Sequence, residues 1–417
     1  MRNLGPQRPS RTGRLPANLR GSRLFTGILV LLLDGLPLGA QTLRDEGYLT
    51  RARIGFDHIY ELEYDLALET FSRLAQEYPE HPGPPLDLAA TLWMRELFER
   101  QDLDLNKFLA PGYFTRPTSR SMPKEDRQAF FHHIDRSQKL ATAILEKAPR
   151  HKDARYFLAS AEGVLGAFYI TIDHARGRAF GRGRKAARFH RELIEEDAQY
   201  YDSYMSVGLY EYVVDNLPWY IKWIALIAGY RGSEERAFEY LVRSTHQGSF
   251  VADDARVLLM ALYVREKHYR YALEVARDLH RRYPRNFLLH LNVAQILEIM
   301  GETDQSVEAY LEVLSLAEES KPNYHKLPLS TFRYTLGERL MQLGRLELAL
   351  EQLTSSINHP KTPDRERALS HLLAGQILDL LGKRSAAVIH YRRVEELADV
   401  EGSHRKARRY LKRPYQG

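Results

Sequence analysis

The chain has 417 residues, more than one hydrophobic core usually serves, so several modules or an elongated repeat array is expected. With 44% hydrophobic residues, 27% charged residues and 25 tyrosines it excludes a disordered chain and suits helix pairs packed on aromatic rings. It has no cysteine, which excludes disulfides, thiol catalysis, lipoprotein acylation and thiolate metal sites.

The formal charge of +6 sits mostly at the N-terminus, where Arg2, Arg8, Arg11, Arg14, Arg20 and Arg23 meet one acid, Asp34. Beyond residue 40 the chain is nearly neutral, so no global field draws in nucleic acid, and none is expected as a partner. Residues 24–33, LFTGILVLLL, form an apolar run followed by Asp34, Gly35, Pro37, Gly39 and Ala40. This order predicts a secretory signal over residues 1–40, cleaved after Ala40, and an exported, periplasmic or envelope-associated protein. The run is shorter than the roughly 20 apolar residues a bilayer span needs. Leu38, bulky at position −3, keeps an uncleaved anchor as an alternative. An organellar presequence shares the arginine bias, but Pro6, Pro9 and Pro16 break the helix it requires.

Internal periodicity appears next. Residues 41–80 hold one helix pair, marked by Ile54-Gly55, Ala67, Phe71, Leu74 and Tyr78-Pro79. Over residues 81–250 the period degrades into an irregular helical section. Pro82, Pro84 and Pro85 open a break, Pro111-Gly112 through Pro123 reads as a long loop, and helices are expected near 125–148, 153–170 and 185–215. A first helix at Tyr204–Val213, with Val207-Gly208, should meet its partner at once. That partner, Glu234–Thr245 with Ala237 and Leu241, comes late, behind the apolar insertion 216–232.

Four pairs follow over residues 251–398. The first has Leu259, Tyr263, Ala272, Ala276, Leu279 and Tyr283-Pro284, and the second Val293, Ala294, Leu297, Gly301, Ser306, Tyr310 and Val313. Leu336-Gly337, Leu340, Gly344, Ala349 and Leu353 mark the third; Ala374-Gly375, Leu378, Gly382, Ala387 and Tyr391 mark the fourth. Gly337 to Gly375 and Gly344 to Gly382 share a 38-residue spacing. Small residues let helices cross closely, aromatics fill between pairs, and glycine or proline ends each helix. The basic tail, residues 399–417, is expected to cap the last helix and fray.

These five copies resemble the tetratricopeptide repeat. The resemblance implies an all-α, tetratricopeptide-type superhelix (an α-solenoid of helical hairpins) with an irregular middle section, no catalysis and no cofactor. It also implies a concave groove that binds a protein or extended peptide. No first helix carries the family's usual tryptophan, and the links after Val313 and Ile357 are longer than standard. The Gly208-Leu209-Tyr210-Glu211-Tyr212 helix, with Leu217-Pro218 and Gly229-Tyr230-Arg231-Gly232, is similar to a subfamily. That subfamily is related to a fungal inclusion-body-clearance protein of the mitochondrial outer membrane. By the repeat template, Asn292, Gln295, Glu298, Tyr334, Glu338, Gln376 and Asp379 face the groove. Asn292 lacks the basic companions of a carboxylate clamp, which argues against reading a C-terminal tail.

Two other segments are candidate sites. Trp219, Tyr220 and Trp223 of the insertion suit a membrane-interface or partner-docking helix, or else a buried plug, since all-round apolar helices are usually buried. Arg176, Arg178, Arg182, Arg184 and Arg188 stand in an acid-free stretch that suits an anionic polymer or lipid headgroup. Alternatively that stretch is a solvated loop answered by Glu192, Glu195, Glu196 and Asp197. His132-His133 lacks further ligands at metal spacing, and no catalytic constellation is present. A non-enzymatic scaffold is the leading expectation and a membrane-peripheral protein the alternative.

Overall fold

Helix boundaries fall where local chemistry puts them. Asp45 accepts from the Tyr48 amide at 3.0 Å, Ser233 from that of Arg236, and Asn286 from those of Leu288 and Leu289, so three helices begin on N-capping side chains. Leu62, Lys267, Gly301, Gly344 and Gly382 take a left-handed backbone and turn the chain sharply between paired helices.

The computed structural model describes residues 43–105, 107, 121–216 and 232–417. Among these are seventeen α-helices and no strand. In chain order they are α1 (Glu46–Tyr60), α2 (Tyr64–Glu77), α3 (Gly83–Glu99), α4 (Lys124–Lys147), α5 (Lys152–Thr171) and α6 (Arg176–Glu196). Then come α7 (Asp202–Asp215), α8 (Glu234–Gln247), α9 (Ala252–Arg265), α10 (Tyr269–Arg282), α11 (Phe287–Met300) and α12 (Thr303–Glu318). The series ends with α13 (Leu329–Gln342), α14 (Leu346–Asn358), α15 (Asp364–Leu380), α16 (Arg384–Glu396) and α17 (Ser403–Lys412). Consecutive helices pack as eight hairpins, from α1–α2 to α15–α16, each stacked on the next, with α17 covering the last. This is the all-α solenoid of helical hairpins that the tetratricopeptide resemblance implies.

Small residues set the close approach within a hairpin. A side chain at Gly375 would come within 2.6 Å of the Tyr391 ring, and one at Gly337 within 2.6 Å of Leu353. Tyr391 and Leu353 are fully buried and have nowhere to move.

The middle is more regular than its sequence. Pro84 and Pro85 break nothing, because they occupy the first turn of α3, where no amide hydrogen bond is lost. The expected helix 185–215 is two helices, α6 and α7, divided at Asp197–Tyr201, and α6 begins at Arg176, where a loop is one expectation. A side chain at Gly166 of α5 would come within 3.3 Å of the Ala179 carbonyl and the Gly183 amide, so Gly166 serves the crossing with α6. The tail expected to fray is helical to Lys412, and Arg384 binds the Tyr410 and Leu411 carbonyls at its end. The leader, residues 1–40, and the Pro111–Arg120 part of the expected loop lie outside the described residues.

Residues 43 and 44 are partly buried. The Arg44 guanidinium pairs with Asp202 and lies over the rings of Tyr200 and Phe250. Asp202 also accepts from the Phe250 amide at 2.9 Å and the Val251 amide at 3.2 Å. His81 stacks on Tyr48 at 3.9 Å, with Nε2 against the Leu43 carbonyl and Nδ1 accepting from the Gly83 amide. This pattern fixes the neutral tautomer.

Two expectations follow. Gly375→Ala forces Tyr391 out of place and is expected to cost about 2 kcal/mol, measured by denaturant unfolding. Burial pushes His81 down to about 4 and His190 to about 3, from an unfolded value near 6.5. Both rings fold neutral, so their stability is fully present above pH 6.5 and is lost as pH falls toward the folded values. The loss is expected to reach about 2 kcal/mol per ring by pH 4.5. A thermal melt series from pH 7 to 4.5 checks this, and His81→Asn should remove that ring's share of the loss while leaving that of His190.

Candidate functional site: a concave face covered by its own chain

In a solenoid each repeat normally touches only its neighbours. Here the first hairpin also meets helices some 200 residues later. The α1–α2 turn is gripped from several sides. The Asn286 side chain donates to the Tyr60 carbonyl, Asn323 to that of Glu61 at 2.6 Å, and Lys326 to that of Leu62 at 2.6 Å. Arg285 binds Glu61 through its amide at 3.1 Å and Glu63 through its guanidinium at 2.7 Å. Tyr60 stacks on Tyr283 at 4.8 Å and donates to Asp254, while Tyr283 donates to Asp253 at 2.6 Å. Burial raises the Asp254 carboxyl to about 6. Tyr48, Ala52 and Phe71 of this hairpin share one apolar core with Leu279, Leu297 and Leu336.

This return covers part of the expected groove. On α11, Asn292 and Gln295 are buried. Gln295 Nε2 approaches Asp104 at 3.5 Å, and the Phe287 ring lies 6.1 Å from Phe98 of α3. Glu298 is held by the Tyr310 hydroxyl at 2.7 Å and by Arg339 at 2.6 and 2.8 Å. At the other end Gln376 is buried. Asp379 accepts from Arg384, from the Tyr391 hydroxyl at 2.8 Å and from the Tyr415 amide at 2.8 Å. Between them, Tyr334 and Glu338 on α13 are half-buried and open to contact. Burial next to Glu338 raises the Tyr334 phenol to about 12.

The arginines of α6 are drawn to carboxylates on neighbouring helices. Arg182 and Lys185 bind Glu162 of α5, itself buried, each at 2.8 Å. Arg191 and Arg236 share Glu211 of α7, each at 3.0 Å. Arg178 reaches Asp173 at 3.4 Å beside Arg127, and Arg188 lies 3.8 Å from Glu192. Arg176 and Arg184 stand on the same helix. Of the four following acids, Glu192 meets Arg188 of the candidate set. Trp219, Tyr220 and Trp223 lie outside the described residues. Among the described residues no helix is long and apolar enough to cross a membrane, and no group of three metal-ligating side chains converges.

Arg285, Asn323 and Lys326 hold the α1–α2 turn and are positions sequence reasoning missed. One signal for them was present: the long link after Val313, which carries Asn323 and Lys326 to the turn. Arg285→Ala with Lys326→Met is expected to free the first hairpin. Amide exchange over residues 46–77 should quicken at least tenfold while that over residues 364–396 is unchanged.

Comparison with known proteins agrees with this architecture. Residues 289–320, nearly all of α11–α12, match the model of the tetratricopeptide repeat. No curated protein matches the chain. Yeast Tom70 is similar at 11% identity over 88% of each chain, with a TM-score of 0.32. The human IFIT1 dimer with m7Gppp-AAAA is similar at 14% identity over 90% of this chain and 87% of that one, with a TM-score of 0.37. TTC0263, a tetratricopeptide protein of Thermus thermophilus, is similar at 17% identity over 63% of this chain and 94% of that one, with a TM-score of 0.21. At these identities the likeness is one of fold alone.

Proposed function

We propose, on the premise that the chain is built of tetratricopeptide repeats, that it is a non-catalytic adaptor holding a protein or short extended peptide against α13. A tetratricopeptide fold is typically a protein-interaction scaffold. The observation that carries the finer reading is the distribution of cover on the concave face. The α11 residues Gln295 and Phe287 face Asp104 and Phe98, in and just past α3, and Asp379 is taken by the C-terminal tail. Tyr334 and Glu338 stay accessible between them. A phosphate-bearing ligand, such as the one named for IFIT1, calls for uncommitted cations. Arg339 and Lys326 beside this stretch are held by Glu298 and the Leu62 carbonyl, which favours a peptide. The order of charged, apolar and small residues before Gln41 supports export to the cell envelope as its place of work.

The test is a pull-down from detergent-solubilised envelope with the chain from Gln41 as bait, beside Tyr334→Ala/Glu338→Ala. A partner recovered by the parent and reduced at least tenfold by the double variant is the expected result. A partner held equally by both removes the groove reading. Recovery of lipid alone favours a membrane-peripheral protein acting through residues 216–232.

A further inference from the structure

The last helix closes the array with one face and leaves the other bare. On α17, Ser403 and Ala407 are buried, and Ala407, Tyr410 and Leu411 join a core with Leu372, Tyr391 and Val394. Helical spacing puts Arg405, Arg408, Arg409 and Lys412 on the opposite face, where all four are exposed. The helix holds no acidic residue. Arg384 fixes its end by binding the Tyr410 and Leu411 carbonyls.

These cations are largely uncommitted. Arg408 lies 2.9 Å from Glu395. Among the described residues Arg405, Lys406, Lys412 and Arg413 meet no carboxylate, and Arg409 meets the Tyr410 ring at 5.9 Å and no carboxylate. The acids at this end are taken: Glu401 by Arg365, Glu396 by Arg393, Asp379 by Arg384, and Asp399 by the His404 amide and the Ser403 hydroxyl. A capping helix has to be polar on its outer side, but capping does not require one sign of charge. On α6, by contrast, Arg182, Lys185 and Arg191 are answered by Glu162 and Glu211.

We propose that the outer face of α17 seats the protein on an anionic membrane surface. A lone helix face is convex, so it does not enclose one phosphate or one acidic side chain as a pocket would. Tyr410 is packed against Tyr391 at 5.6 Å and Tyr415 at 5.2 Å, which leaves the cationic face no ring to stack a base and no apolar anchor for a peptide. A bilayer rich in anionic headgroups is a plane of charge and needs neither. Each Lys or Arg held near such a surface strengthens binding about fivefold. The seat lies on a different helix from the α13 groove and does not depend on the adaptor reading.

Flotation of the chain from Gln41 with lipid vesicles tests this. Binding is expected to vesicles of about three parts phosphatidylcholine to one of phosphatidylglycerol, and not to phosphatidylcholine alone. It should weaken at least tenfold between about 50 and 200 mM salt. Arg405→Gln/Arg409→Gln/Lys412→Gln should lower the partition coefficient at least tenfold with an unchanged thermal melt. Lys267→Gln/Arg270→Gln/Arg277→Gln makes the same charge change at exposed positions on α10 and the turn before it, and should lower it less than about twofold. Arg405→Lys/Arg409→Lys should bind as the parent does, because a plane of charge does not need the guanidinium fork. No binding to the anionic vesicles, equal binding to neutral ones, binding that survives the α17 triple change, or equal losses in both triple variants overturns the proposal. Loss of binding in the lysine variant assigns the face to a discrete anion and overturns it too. So does tighter binding of a DNA duplex or of polyglutamate at equal charge concentration, which assigns the face to that polymer. A partner lost on changing Tyr334 and Glu338 leaves the adaptor reading standing whichever way the vesicles answer.

Discussion

At the end of α1 the last backbone carbonyls have no partner within the helix, and they form the negative end of its dipole. The side chains of Asn286, Asn323 and Lys326 supply donors to the carbonyls of Tyr60, Glu61 and Leu62, while Arg285 meets the carboxylates of Glu61 and Glu63. The docking thus uses a feature every helix has, made specific by four residues placed to receive it. Leu62 makes the fit possible by taking a left-handed backbone, which turns the chain within the grip. That conformation costs a leucine about 1–2 kcal/mol, an amount comparable to one or two of the hydrogen bonds it allows.

The consequence is a solenoid whose ends are not independent. In an open array, stability is close to a sum of repeat and nearest-neighbour contributions. Here α1 and α2 share a core with α9 to α15, so loosening the first hairpin disturbs a core that extends far along the array. Arg44 adds a second tie. Its guanidinium is partly buried over Tyr200 and Phe250, and Asp202 compensates it while also receiving two backbone amides. A buried charge in such a place is tolerated only when paired and hydrogen-bonded, so residues 44, 202 and 250 must assemble together.

The sequence carried the repeats wherever small residues and turns repeat in register, as at Gly337, Gly344, Gly375 and Gly382. It hid them where the crossing residue sat in an unfamiliar setting. Gly166 lets α5 and α6 pack closely, yet the arginines of α6 drew attention to charge. Part of the positive stretch is paired across the helix interface by Glu162 and Glu211, partners that a linear reading cannot pair with it. The groove positions on α11 followed from the repeat template, which assumes an open concave face. The template has no place for a first hairpin returning after some 200 residues. The atypical link after Val313 was visible, but only the fold shows that it carries Asn323 and Lys326 to the turn.

Closure also limits what the concave face can hold. With α11 facing Asp104 and Phe98 and Asp379 engaged by the tail, the accessible floor is about two helix spacings wide, centred on α13. Helices pack 8–10 Å apart, so the free stretch is on the order of 20 Å. An extended chain advances about 3.3 Å per residue, and about six residues fill it. A segment that short gains little from backbone contacts summed along an array, so its affinity has to come from one or two well-filled positions. The α13 surface offers one polar edge at Tyr334 and Glu338 and, on the face bearing Thr331 and Thr335, a pocket with apolar walls. On the adaptor reading proposed above, such a face suits a short motif, whereas an open superhelix of the same repeats would suit a longer one.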